Sequence, residues 1–323
     1  VRKFHIFNLI LFFLFSGCSA DGDQGAVRIG YFPNLTHAQA LVGRAQGEFE
    51  KVFGPQAQVR WTSFNAGPSV IEAIFAGQLD IAYVGPNPAI NGYVKSGGEA
   101  VRVVAGAAGG GAALVVRKDS GISKPADFHG KKIASPQLGN TQDVALRSWL
   151  SAQGLTLKET GGGTQVIPLS NADQQTLFIK KEIDAAWTIE PWVSLLVLNA
   201  DAKVFLEESS LWPKGRYATT VVLVRKKFLD THLNLVKKFL KTHEALTGWI
   251  VQNPAQAKKI VSDQIQKETG KPLPPAVLDQ AWTRLFFTTD KMKSSIVRQA
   301  EAAFEAGFLK TKPDLSELFV EIG

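Results

Sequence analysis

Histidines are the first residues to test for catalytic or metal chemistry, and their spacing argues against both. His37, His129, His232 and His243 lie far apart in sequence. Neither a His-x-His pair nor the His-Glu-x-x-His pattern that sets two ligands on one helix face occurs. A zinc or hydrolytic site would have to be assembled from isolated imidazoles. Cys18 is the only cysteine, so an intrachain disulfide is excluded and any thiolate ligand or nucleophile depends on that one residue. No Walker A sequence is present, and the glycines between Gly106 and Gly111 lack the spacing and the following helix of a dinucleotide-binding turn. His243 falls on an apolar helical face, as a satisfied core residue would, and His129 reads as a turn residue. Only His37 lies where a ligand would be expected.

Four strand-to-helix turns carry the better chemistry, because a helix N-terminus presents free N–H groups and the positive end of its dipole. They are Tyr31-Phe32-Pro33-Asn34-Leu35-Thr36-His37, Gly85-Pro86-Asn87-Pro88, Ser135-Pro136-Gln137-Leu138-Gly139-Asn140-Thr141-Gln142 and Trp187-Thr188-Ile189-Glu190-Pro191-Trp192. In open α/β sheets ligands bind beyond the C-terminal ends of the strands, where such turns gather. Each residue also has a structural use. Thr36, Asn140 and Thr141 are good helix caps, Tyr31 and Trp187 end strands and suit a core, and Glu190 suits the dipole of a first helical turn. No Lys or Arg falls in the four turns. A bound anion would then rely on N–H groups, hydroxyls and dipoles, which suits a monoanion better than a phosphate. Glu190 exposed in a cleft would oppose any anion.

The elements that position these turns follow from hydrophobic period. Val27 to Phe32 reads as a strand, residues 36–53 as a helix, and Val59 to Phe64 as a second strand. A helix opens near Pro68 and ends at Gly77, and Asp80 to Val84 is a third strand. This alternation predicts crossover units and a mostly parallel sheet. The pattern restarts after Gly109-Gly110-Gly111 with strands near 113–116, 132–134, 165–167 and 184–187. Helices lie over 141–152, from about Ala172, and after Glu190-Pro191. Thr219 to Val224 is a strong strand signal, after which the chain reads as all helical, with Val236, Phe239, Leu240, His243, Leu246 and Ile250 on one face. The expected division is lobe one at 27–112, lobe two at 113–218, and a return strand with C-terminal helices at 219–323, the strands at 113–116 and 219–224 forming a hinge.

Composition sets the bounds. The 323 residues are 45% apolar with a formal charge of +7, which excludes disorder and gives room for about two domains. Basic residues occur as scattered pairs such as Lys131-Lys132 and Lys237-Lys238, so no nucleic-acid partner is expected. Val1-Arg2-Lys3, an apolar run to Phe15 and then Ser16-Gly17-Cys18 read as a secretory signal over residues 1–17, too short to span a bilayer. Small residues before Cys resemble the lipobox of bacterial lipoproteins, although Phe15 stands where that pattern has Leu. The expectation is an exported protein held at the membrane by acylated Cys18, with a polar tether at 18–26.

At the same turns the sequence resembles the substrate-binding proteins of bacterial ABC importers, in the class serving nitrate, sulfonate and taurine. The matching segments are Gly30-Tyr31-Phe32-Pro33, Ala76-Gly77-Gln78-Leu79-Asp80-Ile81-Ala82 leading to Gly85-Pro86-Asn87-Pro88, Asp127 to Ala134, Asp184-Ala185-Ala186-Trp187 with Glu190-Pro191-Trp192, and Trp249-Ile250 before Asn253-Pro254. The aliphatic sulfonate branch is the most similar. The resemblance implies an α/β periplasmic-binding-protein type II fold, two lobes joined by a two-strand hinge that close on one small solute. It implies a monomeric receptor, not an enzyme, which needs no cofactor or metal and passes its solute to an inner-membrane ABC permease. By position, Tyr31, Asn34, Thr36, His37, Gly85 and Asn87 would line the site from one lobe, and Asn140, Thr141, Trp187 and Glu190 from the other. Nitrate, or a neutral or cationic heterocycle such as a vitamin precursor, is the alternative ligand. Thiamin-pyrimidine synthases share the fold but carry a cysteine-rich motif, and Cys18 alone cannot supply it.

Overall fold

The structure is a computed structural model that describes residues 25–323; the leader, Cys18 and most of the tether lie outside the described residues. The first sheet begins with β1 (Ala26–Tyr31). The helix expected at 36–53 is broken: a short 3-10 turn at Leu35–His37 leads into α1 (Ala38–Gln46), and Gly47, at φ 66°, turns the chain into α2 (Glu48–Phe53). Only glycine adopts that left-handed conformation without cost. Then come β2 (Gln58–Ser63), α3 (Gly67–Phe75), β3 (Ile81–Val84), α4 (Pro86–Lys95) and β4 (Val101–Gly110). Pro in the first turn of α3 and of α4 starts each helix without losing a bonded N–H.

The chain crosses to the second sheet at Gly111. That sheet contains β5 (Ala112–Arg117), β6 (Lys132–Ser135), α5 (Thr141–Ala152), β7 (Gln165–Pro168), α6 (Asn171–Ile179), β8 (Ala185–Ile189), α7 (Trp192–Asn199) and β9 (Ala202–Glu207) as its strands and covering helices. It returns through β10 (Ala218–Arg225), followed by α8 (Lys226–Thr231), α9 (Leu233–Gln252), α10 (Pro254–Thr269), α11 (Pro275–Thr283), β11 (Leu285–Phe287) and α12 (Lys293–Glu305). The C-terminal third is therefore not all helical, because β11 pairs antiparallel with β4.

Both sheets are mixed, a correction to the mostly parallel sheet expected. The first runs β11-β4-β10-β3-β1-β2 and the second β7-β6-β8-β5-β9. Pairs made by crossover units are parallel, whereas β10 and β5, which enter from the other sheet, run antiparallel to their neighbours. The glycines before the crossing serve this geometry. Gly110 and Gly111 lie at φ 77° and 81°, and a Cβ on Gly110 would sit 2.4 Å from the Arg284 carbonyl oxygen.

Each sheet is covered on both faces, so β3 and β4 are buried along their whole length and read as apolar runs without alternation. In the first sheet one face packs Ile29, Tyr83 and Val222 against Leu41, Phe49 and Phe239, and the other packs Val84, Val103 and Leu223 against Ile71, Ile90 and Ile296. The second sheet does the same with Leu114, Ile133 and Trp187 against Leu146 and Trp149, and Val115 and Ala186 against Phe178 and Leu196. His243 is a satisfied core residue: Nδ1 lies 3.0 Å from the Tyr83 hydroxyl and Nε2 lies 2.8 Å from the Gly106 carbonyl oxygen.

Candidate functional site

Between the two sheets lies a cavity of about 40 Å³, lined from both sides. Phe32, Asn34, Thr36, His37, Asn65, Gly67, Gly85 and Pro88 come from the first lobe, Pro136, Asn140, Thr141, Gln142, Asn171 and Ile189 from the second, and Thr219 and Thr220 from the return strand. The N-terminal turns leading into α1, α3, α4, α5 and α6 all open onto it. Its wall contains no Asp, Glu, Lys or Arg.

Three amide side chains and one imidazole there use their acceptors and keep their donors. Asn34 Oδ1 accepts from the Thr36 N–H at 3.1 Å and the Thr36 hydroxyl at 2.6 Å, which leaves its Nδ2. Asn140 Oδ1 caps α5 by accepting from the Asp143 N–H at 2.8 Å, again leaving Nδ2. Asn171 Oδ1 accepts from the Thr188 hydroxyl at 3.0 Å. His37 is buried, and burial pushes its imidazole down to about 3, so it is neutral at pH 7. Its Nδ1 accepts the Phe32 N–H at 3.1 Å, which puts the ring proton on Nε2 and makes that atom a donor. Phe32 also stacks on the ring at 4.4 Å and fixes its plane.

The two lobes meet at this cavity. Thr141 Oγ1 accepts from the Asn87 N–H at 3.4 Å across the seam, and a Cβ on Gly85 would sit 2.5 Å from the same oxygen. The α5 turn is held rigid by Asp143, which accepts from the Ser135 hydroxyl at 2.6 Å, the Gly139 N–H at 2.9 Å and Arg147 Nε at 3.1 Å. Donors on a rigid turn can hold a ligand oxyanion without reorganising.

Six of the expected residues, Asn34, Thr36, His37, Gly85, Asn140 and Thr141, line the cavity. Four do not. Tyr31 points to the far side of the sheet, where its hydroxyl bonds Glu268 and Arg44 and its ring meets Trp61 edge-on. Asn87, the second residue of α4, lines a neighbouring cavity. Trp187 has no exposure and donates Nε1–H to Glu208 at 2.8 Å, so it is core. Glu190 is likewise fully buried. Its carboxylate accepts from the Ser194 N–H at 3.0 Å, the Ser194 hydroxyl at 2.8 Å and Arg284 at 3.0 Å. Burial raises its pKa, and these bonds only partly offset that. The repulsion expected between Glu190 and a bound anion therefore does not arise.

Asn65, Asn171, Thr219 and Thr220 were not anticipated. The first two occupy strand-to-helix turns after β2 and β7, so the rule that singled out the other turns would have found them. The threonines begin a strand and carry no such signal. Among the described residues no group of three or more His, Cys, Asp or Glu gathers to hold a metal ion, and no helix is long and apolar enough to cross a membrane.

Two α/β lobes joined by a two-strand hinge, with the cavity at their seam, define the periplasmic-binding-protein fold of type II. The alkanesulfonate-binding protein SsuA from Xanthomonas axonopodis pv. citri, solved bound to MOPS, superposes with a TM-score of 0.76 at 20% identity, over 92% of this chain and 98% of that one. The nitrate-binding protein NrtA from Synechocystis PCC 6803 superposes with a TM-score of 0.70 at 14% identity, over 90% of this chain and 84% of that one. Residues 20–263 match the NMT1-like family, and the chain belongs to it. A Bacillus subtilis (strain 168) protein named for binding aliphatic sulfonates is 28% identical over 273 residues, 81% of this chain and 78% of that protein. The taurine-binding periplasmic protein of Escherichia coli (strain K12) is 31% identical over 206 residues, 63% of this chain and 60% of that protein.

Proposed function

We propose that the protein is the solute receptor of an ABC importer and that it captures an aliphatic sulfonate between its lobes for delivery to a membrane permease. The observation that carries this reading is a charge-free cavity between the lobes, rich in hydrogen-bond donors. A sulfonate is a monoanion with three oxygens. The Nδ2 groups of Asn34, Asn140 and Asn171, the His37 Nε2–H and the converging helix N-termini match such a head without a counter-ion. A doubly charged phosphate would leave one charge uncompensated there. A cation would find no carboxylate in the cavity wall, and the one proposed for it, Glu190, is bonded to Arg284. The relatives named for sulfonates and taurine support the same solute class.

The role requires no catalysis. Export and a lipid anchor at Cys18 belong to the same reading, since a receptor must sit near its permease. Native mass spectrometry of protein purified without refolding tests the solute directly. The expected result is a bound mass corresponding to a sulfonate that is released on unfolding. A co-purifying neutral heterocycle, or nitrate, would replace the sulfonate while leaving the receptor role.

A further inference from the structure

The head cavity has a neighbour. A second interlobe cavity, of about 230 Å³, begins at Thr141 and Asn87 and runs along the flank of α5. Thr141 lines both cavities, and its hydroxyl, bound by the Asn87 N–H, stands between them. On the α5 side the wall is Val144, Ala145 and Trp149, and on the other it is Ala302 of α12 with Leu211 and Trp212. These apolar side chains face one another across the cavity, with Ser148, Gln153 and Gln299 as polar members of its wall. The Arg298 guanidinium at its edge lies over the Trp212 ring, 5.0 Å from the centroid. Glu208, its buried acid, accepts from Trp187 Nε1.

We propose that this second cavity is an annex of the solute site that receives the solute's hydrocarbon tail, with Thr141 as the partition that a tail must pass. The inference rests on the sulfonate reading above and deepens it: the solute class becomes alkanesulfonates whose chains exceed the head cavity. Three features carry it. The annex starts at the N-terminus of α5, where the head group would be held, so a tail leaving that point finds it next. Its walls are drawn from both lobes, so it forms only with the closed cleft and would bury a tail on closure. Its walls also carry the methyls of Val144, Ala145 and Ala302 and the indoles of Trp149 and Trp212, which reward hydrocarbon. Each methylene buried there should tighten binding by about fourfold.

Calorimetric titration with methane-, ethane-, butane- and hexanesulfonate tests this on the wild-type protein and on Ala302→Phe and Ala145→Phe, which fill the annex from opposite walls. Affinity in the wild type should rise along the series. Both variants should bind methanesulfonate within about twofold of wild type, which also reports that they fold, and should lose about tenfold or more on hexanesulfonate. A flat series in the wild type, or variants that bind hexanesulfonate as the wild type does, would overturn the annex while leaving the sulfonate reading intact. Failure of the wild type to bind any member would overturn both.

Discussion

At the residue scale the site is built from neutral groups whose acceptor ends are already occupied. Asn34, Asn140 and Asn171 each spend Oδ1 on their own turn or a neighbouring strand, and His37 spends Nδ1 on the Phe32 amide. Substituting Asn140 by Ala should therefore do two things. It removes a cap, at a cost of about 1 kcal/mol in stability, and it removes a charge-assisted bond to solute, lowering affinity by about tenfold to a hundredfold. Denaturant titration and calorimetry on the same variant separate these effects. The buried histidines set a pH dependence. The unfolded chain protonates its histidines near the ordinary 6.5, whereas burial holds His37 at about 3 and His243 at about 4. The unfolded state thus binds more protons through this interval, so stability is full above pH 6.5 and is lost as pH falls. Each histidine subtracts up to about 1.4 kcal/mol per pH unit. Urea unfolding at pH 7.0, 6.0 and 5.5 should show the decline, and His37→Gln should shallow it by about one proton. A slope unchanged by that substitution would show that His37 is not held neutral.

At the element scale, helix N-termini from two sheets are aimed at one point by strands that end together. Asp80 ties three of these elements. It is fully buried and accepts from Arg28 of β1 at 2.8 Å and Arg225 of β10 at 2.6 Å, just before β3. Burial pushes its carboxyl up, but the hydrogen bonds from Arg28 and Arg225 outweigh this and hold it below its ordinary value. Asp80→Ala should cost about 3 kcal/mol, the lower end for a broken buried pair because both arginines retain some exposure, read as a shift in the urea midpoint. Much of this scale was legible in sequence. The helix at Thr141–Ala152 and the strand at 219–224 follow from hydrophobic period and from the Asn140 cap. What was not legible had physical causes. The second half of β4, Ala105 to Gly110, is all Ala and Gly and carries no β signal, and its small residues are needed because the C-terminal segment passes against it, with the Asp290 carbonyl 1.9 Å from where a Gly106 Cβ would be. Trp187 and Glu190 were expected in the cleft from their turn and from the family resemblance. Their partners, Glu208 and Arg284, lie far along the chain, and tertiary pairing of that kind has no local signature.

At the scale of the whole molecule the account is one of closure. The C-terminal segment returns from the first lobe to grip the second. Arg284 pairs with Glu190 and Glu207, and Arg147 of α5 faces the Phe308 ring. With Thr141 against Gly85, the described conformation has the two lobes in contact beside the cavity. Small-angle scattering should show a larger radius of gyration without solute than with it, because only closure lets both sets of donors reach one ligand. Gly85→Ala should keep the fold but resist closing, with solute binding weakened by about tenfold to a hundredfold. If Cys18 is acylated, the native protein should partition into detergent, and Cys18→Ala should release it. The central claim is that a charge-free cavity holds an alkanesulfonate through neutral donors from both lobes. Calorimetric titration with ethanesulfonate, nitrate and a pyrimidine, on wild type and on the double substitution of Asn140 and Thr141 by Ala, tests it most directly. The account predicts measurable heat with ethanesulfonate, an affinity about tenfold to a thousandfold weaker in the double variant, and weaker binding of the other two solutes. No heat with ethanesulfonate in the wild type, together with saturable binding of the pyrimidine, would contradict it.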